Sequence, residues 1–285
     1  MIRTDESRRE AGGKTAARPP VPREHGAWAM LLIPLVVGLA AAGNWGWEGP
    51  LFLGACLALY SARQPITMLA KGPNDTAASQ RGTAMTWLAL YLVLALAFGV
   101  PLLYPLGRWL VLPWAAVFAA FTVLHLFLRN RRLDRTPAGE FITAAGLALT
   151  APGAYLVARG FEPTAVYLWM LTTLYSGASV FYVRLKMRHR ALRRPASSLG
   201  ERVALGRANI AYVIILVAVV AVLALLRQAP PLVPLAFLPL VVKVLLGIAT
   251  GGPQVDIKKV GWTEVVHSIS FTILLIAAYL ISPSS

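Results

Sequence analysis

The sequence predicts an all-α membrane protein, a bundle of about nine transmembrane helices, and three observations support this fold class. Of its 285 residues, 57% are hydrophobic and only 14% are charged, whereas an average soluble domain carries about a quarter charged residues. Apolar segments of roughly 20 residues, long enough to cross a bilayer, recur along the chain. Most of the basic residues lie between these segments or near their ends, and their number alternates between many and few from one connection to the next.

Nine apolar segments are the predicted spans, and Gly, Pro and Asn gather in the connections between them. The second span is interrupted by Arg63, Gln64 and Pro65, so we expect a kink or break near its cytoplasmic end. The fifth span is rich in Gly and Ala, which favours close helix packing, and Pro152 predicts a kink in it. The predicted spans are residues 26–43, 51–70, 83–104, 108–127, 139–158, 164–185, 206–226, 232–249 and 261–281.

The distribution of Lys and Arg predicts the orientation, because cytoplasmic loops carry an excess of both. With the N-terminus inside and the C-terminus outside, 24 of the 27 Lys and Arg residues lie in cytoplasmic segments. We therefore expect a multi-pass protein of the bacterial cytoplasmic (inner) membrane. Residues 1–22 are predicted to be a flexible basic tail, and residues 23–285 one transmembrane domain. An outer interfacial belt is predicted from Trp45, Trp47, Tyr104 and Trp109.

Composition and motifs exclude several function classes. A net charge of +15 would favour nucleic-acid binding in a soluble protein, but the membrane topology alone requires these basic clusters, so no nucleic-acid partner is predicted. The single cysteine, Cys56, cannot form a disulfide framework or a cysteine metal site. A Walker motif, a dinucleotide fingerprint and a serine elbow are all missing, so nothing indicates ATP hydrolysis.

Polar residues at the predicted cytoplasmic helix ends are the functional candidates, because ionisable groups are costly inside a membrane. Lys243 lies about 9 Å above the end of its helix, and Glu264 and His267 share one helical face. These groups predict a polar cavity open to the cytoplasm; the alternative is scattered side chains that reach the lipid phosphates. The candidate catalytic residues are Glu24, His25, Glu264 and His267. The candidate ligand-binding residues are Trp28, Arg63, Glu140, Arg184, Asn209 and Lys243.

Glu264 and His267 also match the Glu-x-x-His motif of di-iron helix bundles. Such a site uses two of these motifs and two further carboxylates, and this chain has one motif. Additional ligands would have to come from His25, His125, His189, Glu24 or Glu140 after folding. A hydrogen-bonded Glu–His or Glu–Lys pair is the preferred interpretation, and no metal is predicted.

The string REHGAWAML at residues 23–31 resembles the N-terminal signature of the YwiC-like family of bacterial membrane proteins. Residues 139–140, 179–184 and 261–264 match further elements of that family. The resemblance covers about residues 22–282 and implies a membrane protein without implying a particular reaction.

The chain also resembles, more distantly, the UbiA prenyltransferase superfamily, in its nine helices, its N-in arrangement and its large cytoplasmic loops after helices 2 and 6. That resemblance implies aspartate-rich motifs in both loops, which hold magnesium and a prenyl diphosphate. Here the loop after helix 2 has Asn74 and Asp75, but the next position at which aspartate is expected holds Ala78. After helix 6, residues 184–190 contain Arg, Lys and His but no acid. Magnesium is therefore not predicted, and neither is any other cofactor. Arg and Lys can bind phosphate directly.

Three functions stay open at this point. The first is binding or modification of an anionic membrane lipid, or of an isoprenoid or quinone-like amphiphile, with magnesium-independent prenyl transfer as one form. In it Arg63, Arg184 and Lys243 would hold the anion, and the candidate catalytic residues would position it or carry protons. The second is a transporter or exporter, which would also need polar groups in the outer half of the bundle. The third is a non-catalytic assembly factor for another membrane complex.

Overall fold

The fold is all-α, as predicted, in the computed structural model, which describes residues 20, 25–70, 78–192, 198–250 and 255–282. Helices α5 and α6 together occupy the predicted fifth span, so the helices of the described residues coincide with the nine predicted segments. They are α1 (His25–Ala42), α2 (Glu48–Leu69), α3 (Ala78–Leu103), α4 (Val111–Asn130), α5 (Pro137–Ala148), α6 (Thr150–Arg159), α7 (Pro163–Arg190), α8 (Leu199–Leu225), α9 (Val233–Ala249) and α10 (Ile257–Ile281).

Six spans within the described residues are long and apolar enough to cross a membrane: α3, α4, α5 with α6, α7, α8 and α10. Helices α1 and α9 are apolar but shorter. Helix α2 carries Glu48, Arg63 and Gln64, and it continues past Pro65 to Leu69, so Pro65 does not end it. The chain is therefore a multi-pass membrane protein, while the number of nine spans and the orientation stay predictions.

The outward faces of several helices are apolar. Helix α4 has no buried residue, and large apolar side chains such as Val93, Leu96, Ile214 and Leu225 are exposed on α3 and α8. Soluble monomers rarely expose contiguous apolar patches of more than a few hundred Å². The aromatic residues of the predicted outer belt, Trp45, Trp47, Tyr104 and Trp109, are all exposed. These surfaces suit a lipid environment.

Two compact units divide the chain. In the unit Gly54–Val100, a Cβ atom added to Gly54 would lie 2.6 Å from the ring of Phe98, and the rings of Trp87 and Tyr91 pair at 5.7 Å. The other unit contains the helices before and after this segment. In that unit α7 is the central helix, because it packs against α1, α5, α6, α8, α9 and α10.

The small residues of the predicted fifth span form the core between α1 and the broken helix α5–α6. A Cβ atom on Gly38 of α1 would lie 2.1 Å from the backbone oxygen of Ala151, so the two backbones touch. The helix is interrupted at Leu149. Pro152, three residues later, has no N–H to bond the carbonyl of Ala148, and Thr150 Oγ1 donates to Leu31 O at 2.7 Å. The helix is thus interrupted close to Pro152, and the kink predicted from this proline stays a prediction.

Candidate functional site

A buried ion pair joins α9 and α10. The Lys243 Nζ atom donates to Glu264 Oε1 at 2.8 Å, and 2% of the Lys243 side chain and 18% of the Glu264 side chain are exposed. Lys243 precedes the end of α9 at Ala249 by six residues, and Glu264 follows the start of α10 at Ile257 by seven. Two packed antiparallel helices that follow each other in sequence bring such nearly equidistant positions together.

The ring of Tyr182 on α7 is the third component of this site. Lys243 Nζ lies 4.7 Å from the ring centroid, and Lys186 Nζ lies 5.4 Å from it. Both distances are within the range of a cation–π interaction, which strengthens away from water. Tyr182 reaches α9 because Gly247 has no side chain: a Cβ atom there would lie 2.6 Å from the ring. We call Tyr182, Lys186, Lys243 and Glu264 the Lys243 site.

Two cations from neighbouring helices bind the C-terminal end of α9. Lys186 Nζ donates to Gly247 O at 3.3 Å, and an Arg202 guanidinium nitrogen donates to Ala249 O at 2.8 Å. The last carbonyls of a helix lack intrahelical partners and carry partial negative charge, so cations stabilise them. These contacts hold α7 and α8 to the same end of α9, next to the Lys243 site.

A polar stripe on α7, which sequence reasoning did not identify, faces this site. It comprises Tyr175, Ser179, Tyr182, Lys186 and His189, spaced by four, three, four and three residues, which places them on one helical face. Tyr175 donates to Ser268 Oγ on α10 at 3.2 Å, and its ring stacks on Phe271 at 3.9 Å. The regular spacing of polar residues in an otherwise apolar span was the available signal.

Several buried polar atoms have no hydrogen-bond partner among the described residues. Among them are Glu264 Oε2, His267 Nδ1, Asn209 Nδ2 and both ring nitrogens of His189. Asn209 is 3% exposed and His189 is fully buried. Unpaired buried polar groups are costly, so native proteins keep few of them. Glu264 and His267 on α10, and His189 three residues from Lys186 on α7, make the region of the buried ion pair a candidate place for polar chemistry.

A second ion pair lies on the other side of α7. Arg184 Nε donates to Glu140 Oε2 on α5 at 2.7 Å, and an Arg184 guanidinium nitrogen also donates to Arg135 O. Residues two apart on a helix project about 200° apart, so Arg184 points toward α5 whereas Tyr182 points toward α9. Arg184 and Glu140, both predicted ligand-binding residues, are thus paired with each other rather than with Lys243.

The remaining candidate residues fall in different places. Trp28 is half-buried on α1, Arg63 lies on α2 within the unit Gly54–Val100, and His25 begins α1. Glu24, like Asn74 and Asp75, lies outside the described residues. His125 Nδ1 lies 2.8 Å from Thr143 Oγ1 on α5. Among the described residues, no three His, Cys, Asp or Glu side chains are grouped to hold a metal. The single cavity containing all candidates stays a prediction.

Comparison with known proteins confirms one of the two resemblances. Residues 21–155 match the family model described as YwiC-like protein. A relative, the "Uncharacterized protein YwiC" of Bacillus subtilis (strain 168), is 27% identical over 181 residues, which cover 60% of this chain and 68% of the relative. No solved structure matches the chain. The resemblance to the YwiC-like family is thus confirmed, and that to the UbiA superfamily stays a prediction.

Proposed function

Taking the chain as a YwiC-like membrane protein, we propose that it binds the head group of an anionic amphipathic lipid at the Lys243 site, on the cytoplasmic side of the inner membrane. The observation that carries this proposal is the pair of ammonium groups, Lys186 and Lys243, on one buried tyrosine ring with a single carboxylate between α9 and α10.

The charge balance of the site favours an anion. Lys186 and Lys243 contribute two positive charges and Glu264 one negative charge, so one positive charge is uncompensated within the site. Electrostatic attraction is several times stronger in a partly buried site than in water. Lys243 is bound to Glu264, whereas the bond of Lys186 to Gly247 O is long, at 3.3 Å, and Lys186 is only half-buried. Lys186 is therefore the group that meets the anion.

The neighbouring helix surfaces suit an acyl or isoprenoid tail. On α9 Leu245 and Leu246 are exposed, and on α10 Val266, Ile269 and Ile273 are exposed. A ligand held by its head group at the Lys243 site would lay its tail along these faces, where burial of each CH₂ contributes about 0.8 kcal/mol. Chemical modification of the lipid, including UbiA-like prenyl transfer without magnesium, is a narrower form of the proposal. Binding does not depend on it.

Lipid analysis of the purified protein tests the proposal. We expect mass spectrometry after mild detergent extraction to find an anionic lipid enriched over the bulk membrane. Lys186→Met should weaken binding by at least about tenfold, since a charge-assisted hydrogen bond contributes roughly 1.5–3 kcal/mol. Lys186→Arg should retain most of it. The control, Lys258→Met, changes an exposed lysine at the start of α10 and should leave binding unchanged. Equal lipid content in wild type and bulk membrane would exclude the proposal.

A transporter is the second candidate, because a buried ion pair is also typical of proton-carrying sites in membrane proteins. Glu264 Oε2 and His267 Nδ1, which have no partner in the described part of the chain, lie beside this pair. Uptake of solutes into proteoliposomes under a proton gradient discriminates between the two functions. A transporter would move a solute without enriching any lipid, and Glu264→Gln would abolish transport.

The proposed orientation can be tested by labelling single cysteines in cells. Cys56 is replaced by Ala, and Cys is introduced at Trp45 or Ser198, both of which are exposed. With the N-terminus inside, Trp45→Cys should react with an impermeant maleimide in intact cells. Ser198→Cys should react only after the membrane is opened, because it lies in the arginine-rich connection between α7 and α8. The reverse pattern would invert the topology.

A further inference from the structure

The two oxygens of the Glu264 carboxylate have different environments. Oε1 accepts the bond from Lys243 at 2.8 Å, whereas Oε2 is buried and has no partner among the described residues. A carboxylate paired with an ammonium group can only accept hydrogen bonds. A buried acceptor that lacks a donor destabilises the protein by more than a typical hydrogen bond stabilises it. Within the described residues Oε2 is therefore an unsatisfied acceptor, which a hydrogen-bond donor of a ligand can satisfy.

An unmet donor lies on α8, which packs against α9. Asn209 Nδ2 has no partner among the described residues. Asn209 follows Gly206, which packs on Ile248, and precedes Ile210, which packs on the cluster of Tyr182, Leu185, Val244 and Ile248. The amide nitrogen calls for an acceptor. Asn209 is therefore a buried donor, unsatisfied within the described part of the chain, on the part of α8 whose neighbouring residues pack on α9 and Tyr182.

From these atoms we infer, resting on the proposed function, that the lipid head group taken by the Lys243 site carries a hydroxyl group beside its anionic group. The hydroxyl donates to Glu264 Oε2, and the anionic oxygens accept from Lys186 and Asn209. A phosphate or carboxylate anion alone would leave Glu264 Oε2 unmet. A hydroxyl without an anion would leave the positive charge of Lys186 uncompensated.

Two phosphodiester lipids with the same acyl chains and the same charge separate these requirements. Phosphatidylglycerol has a head group with hydroxyls, and phosphatidylmethanol has none. The full chain is placed in phosphatidylcholine nanodiscs that contain one or the other as the minor lipid, and the bound lipid is quantified by native mass spectrometry. We expect about tenfold stronger binding of phosphatidylglycerol, since one hydrogen bond to a charged group distinguishes the two.

Variants test which side chains cause the preference for phosphatidylglycerol over phosphatidylmethanol. The double variant Lys243→Met with Glu264→Leu removes the acceptor without leaving an unpaired charge, and it should bind both lipids equally. Lys186→Met should weaken the binding of both lipids and retain the preference. Equal binding of both lipids by the wild-type protein would overturn this inference and leave lipid binding in place. Binding of neither lipid above phosphatidylcholine would overturn the proposed function itself. A preference retained by the double variant would overturn the role of Glu264.

Discussion

Lys243→Met is expected to lower the free energy of unfolding by about 3–5 kcal/mol, because it leaves the Glu264 carboxylate buried without its cation. The side chain of Lys243 is 2% exposed and that of Glu264 is 18% exposed, so water cannot replace the lost partner fully. Glu264→Leu should lower the free energy of unfolding by a similar amount, since it removes the carboxylate partner of the buried Lys243 ammonium group. Both changes in the free energy of unfolding are measured by titrating the protein in mixed micelles with a denaturing detergent.

The double variant distinguishes this explanation from simple loss of packing. Lys243→Met with Glu264→Leu removes both charges together, and replacing a buried pair by apolar residues is often neutral or stabilising. We expect its free energy of unfolding to lie within about 1–2 kcal/mol of the wild-type value, above either single variant. Additive losses in the double variant would show that the two residues act independently.

Gly38→Ala is expected to have the second largest effect on stability. An added Cβ atom would lie 2.1 Å from Ala151 O and 3.0 Å from the Cβ atom of Ala154. The contacted oxygen belongs to the backbone of α6, so no side chain can rotate away, and α1 must move from α6. Overpacking of this kind typically costs about 1–3 kcal/mol, and a rigid backbone contact places this variant at the upper end.

Gly26→Ala is the matched control, in the same helix. An added Cβ atom at Gly26 meets nothing within 4 Å. Alanine is favoured over glycine in a helix by about 1 kcal/mol, so this variant should be neutral or slightly more stable. Thermal unfolding of both variants in detergent provides the comparison. Equal melting temperatures for Gly38→Ala and Gly26→Ala would contradict the close contact of α1 with α6.

Part of the candidate site could be predicted from the sequence, because a charged residue inside an apolar span is energetically costly and therefore stands out. Lys243, Glu264 and His267 were identified because each interrupts an apolar span, where an ionisable group is retained at a cost. The structure confirms the predicted Glu–Lys pair as one of the two alternatives for Glu264. Tyr182, Tyr175 and Ser268 were missed, because tyrosine and serine are common in membrane helices and do not interrupt an apolar pattern.

Arg184 shows a different limit. By position it resembles Lys243, a cation near the predicted cytoplasmic end of a helix, and sequence reasoning placed both around one anion. The structure pairs Arg184 with Glu140 on α5 and Lys243 with Glu264 on α10. The rotation of α7 decides this, since it turns Tyr182 toward α9 and Arg184 toward α5. Rotation about the helix axis depends on neighbours that are distant in sequence.

The sequence by itself determined that this chain is a multi-pass membrane protein of helices and approximately where those helices begin and end. The residues of each apolar segment contact the lipid directly, and the backbone hydrogen bonds of each helix form within the segment. The positions of the membrane helices therefore depend on local sequence. Only the tertiary structure decided which charges pair, which ring lies beneath Lys243, and where Gly38 allows two backbones to touch. Such contacts join residues far apart in sequence, over a hundred positions for Gly38 and Ala151, and they depend on how the helices pack.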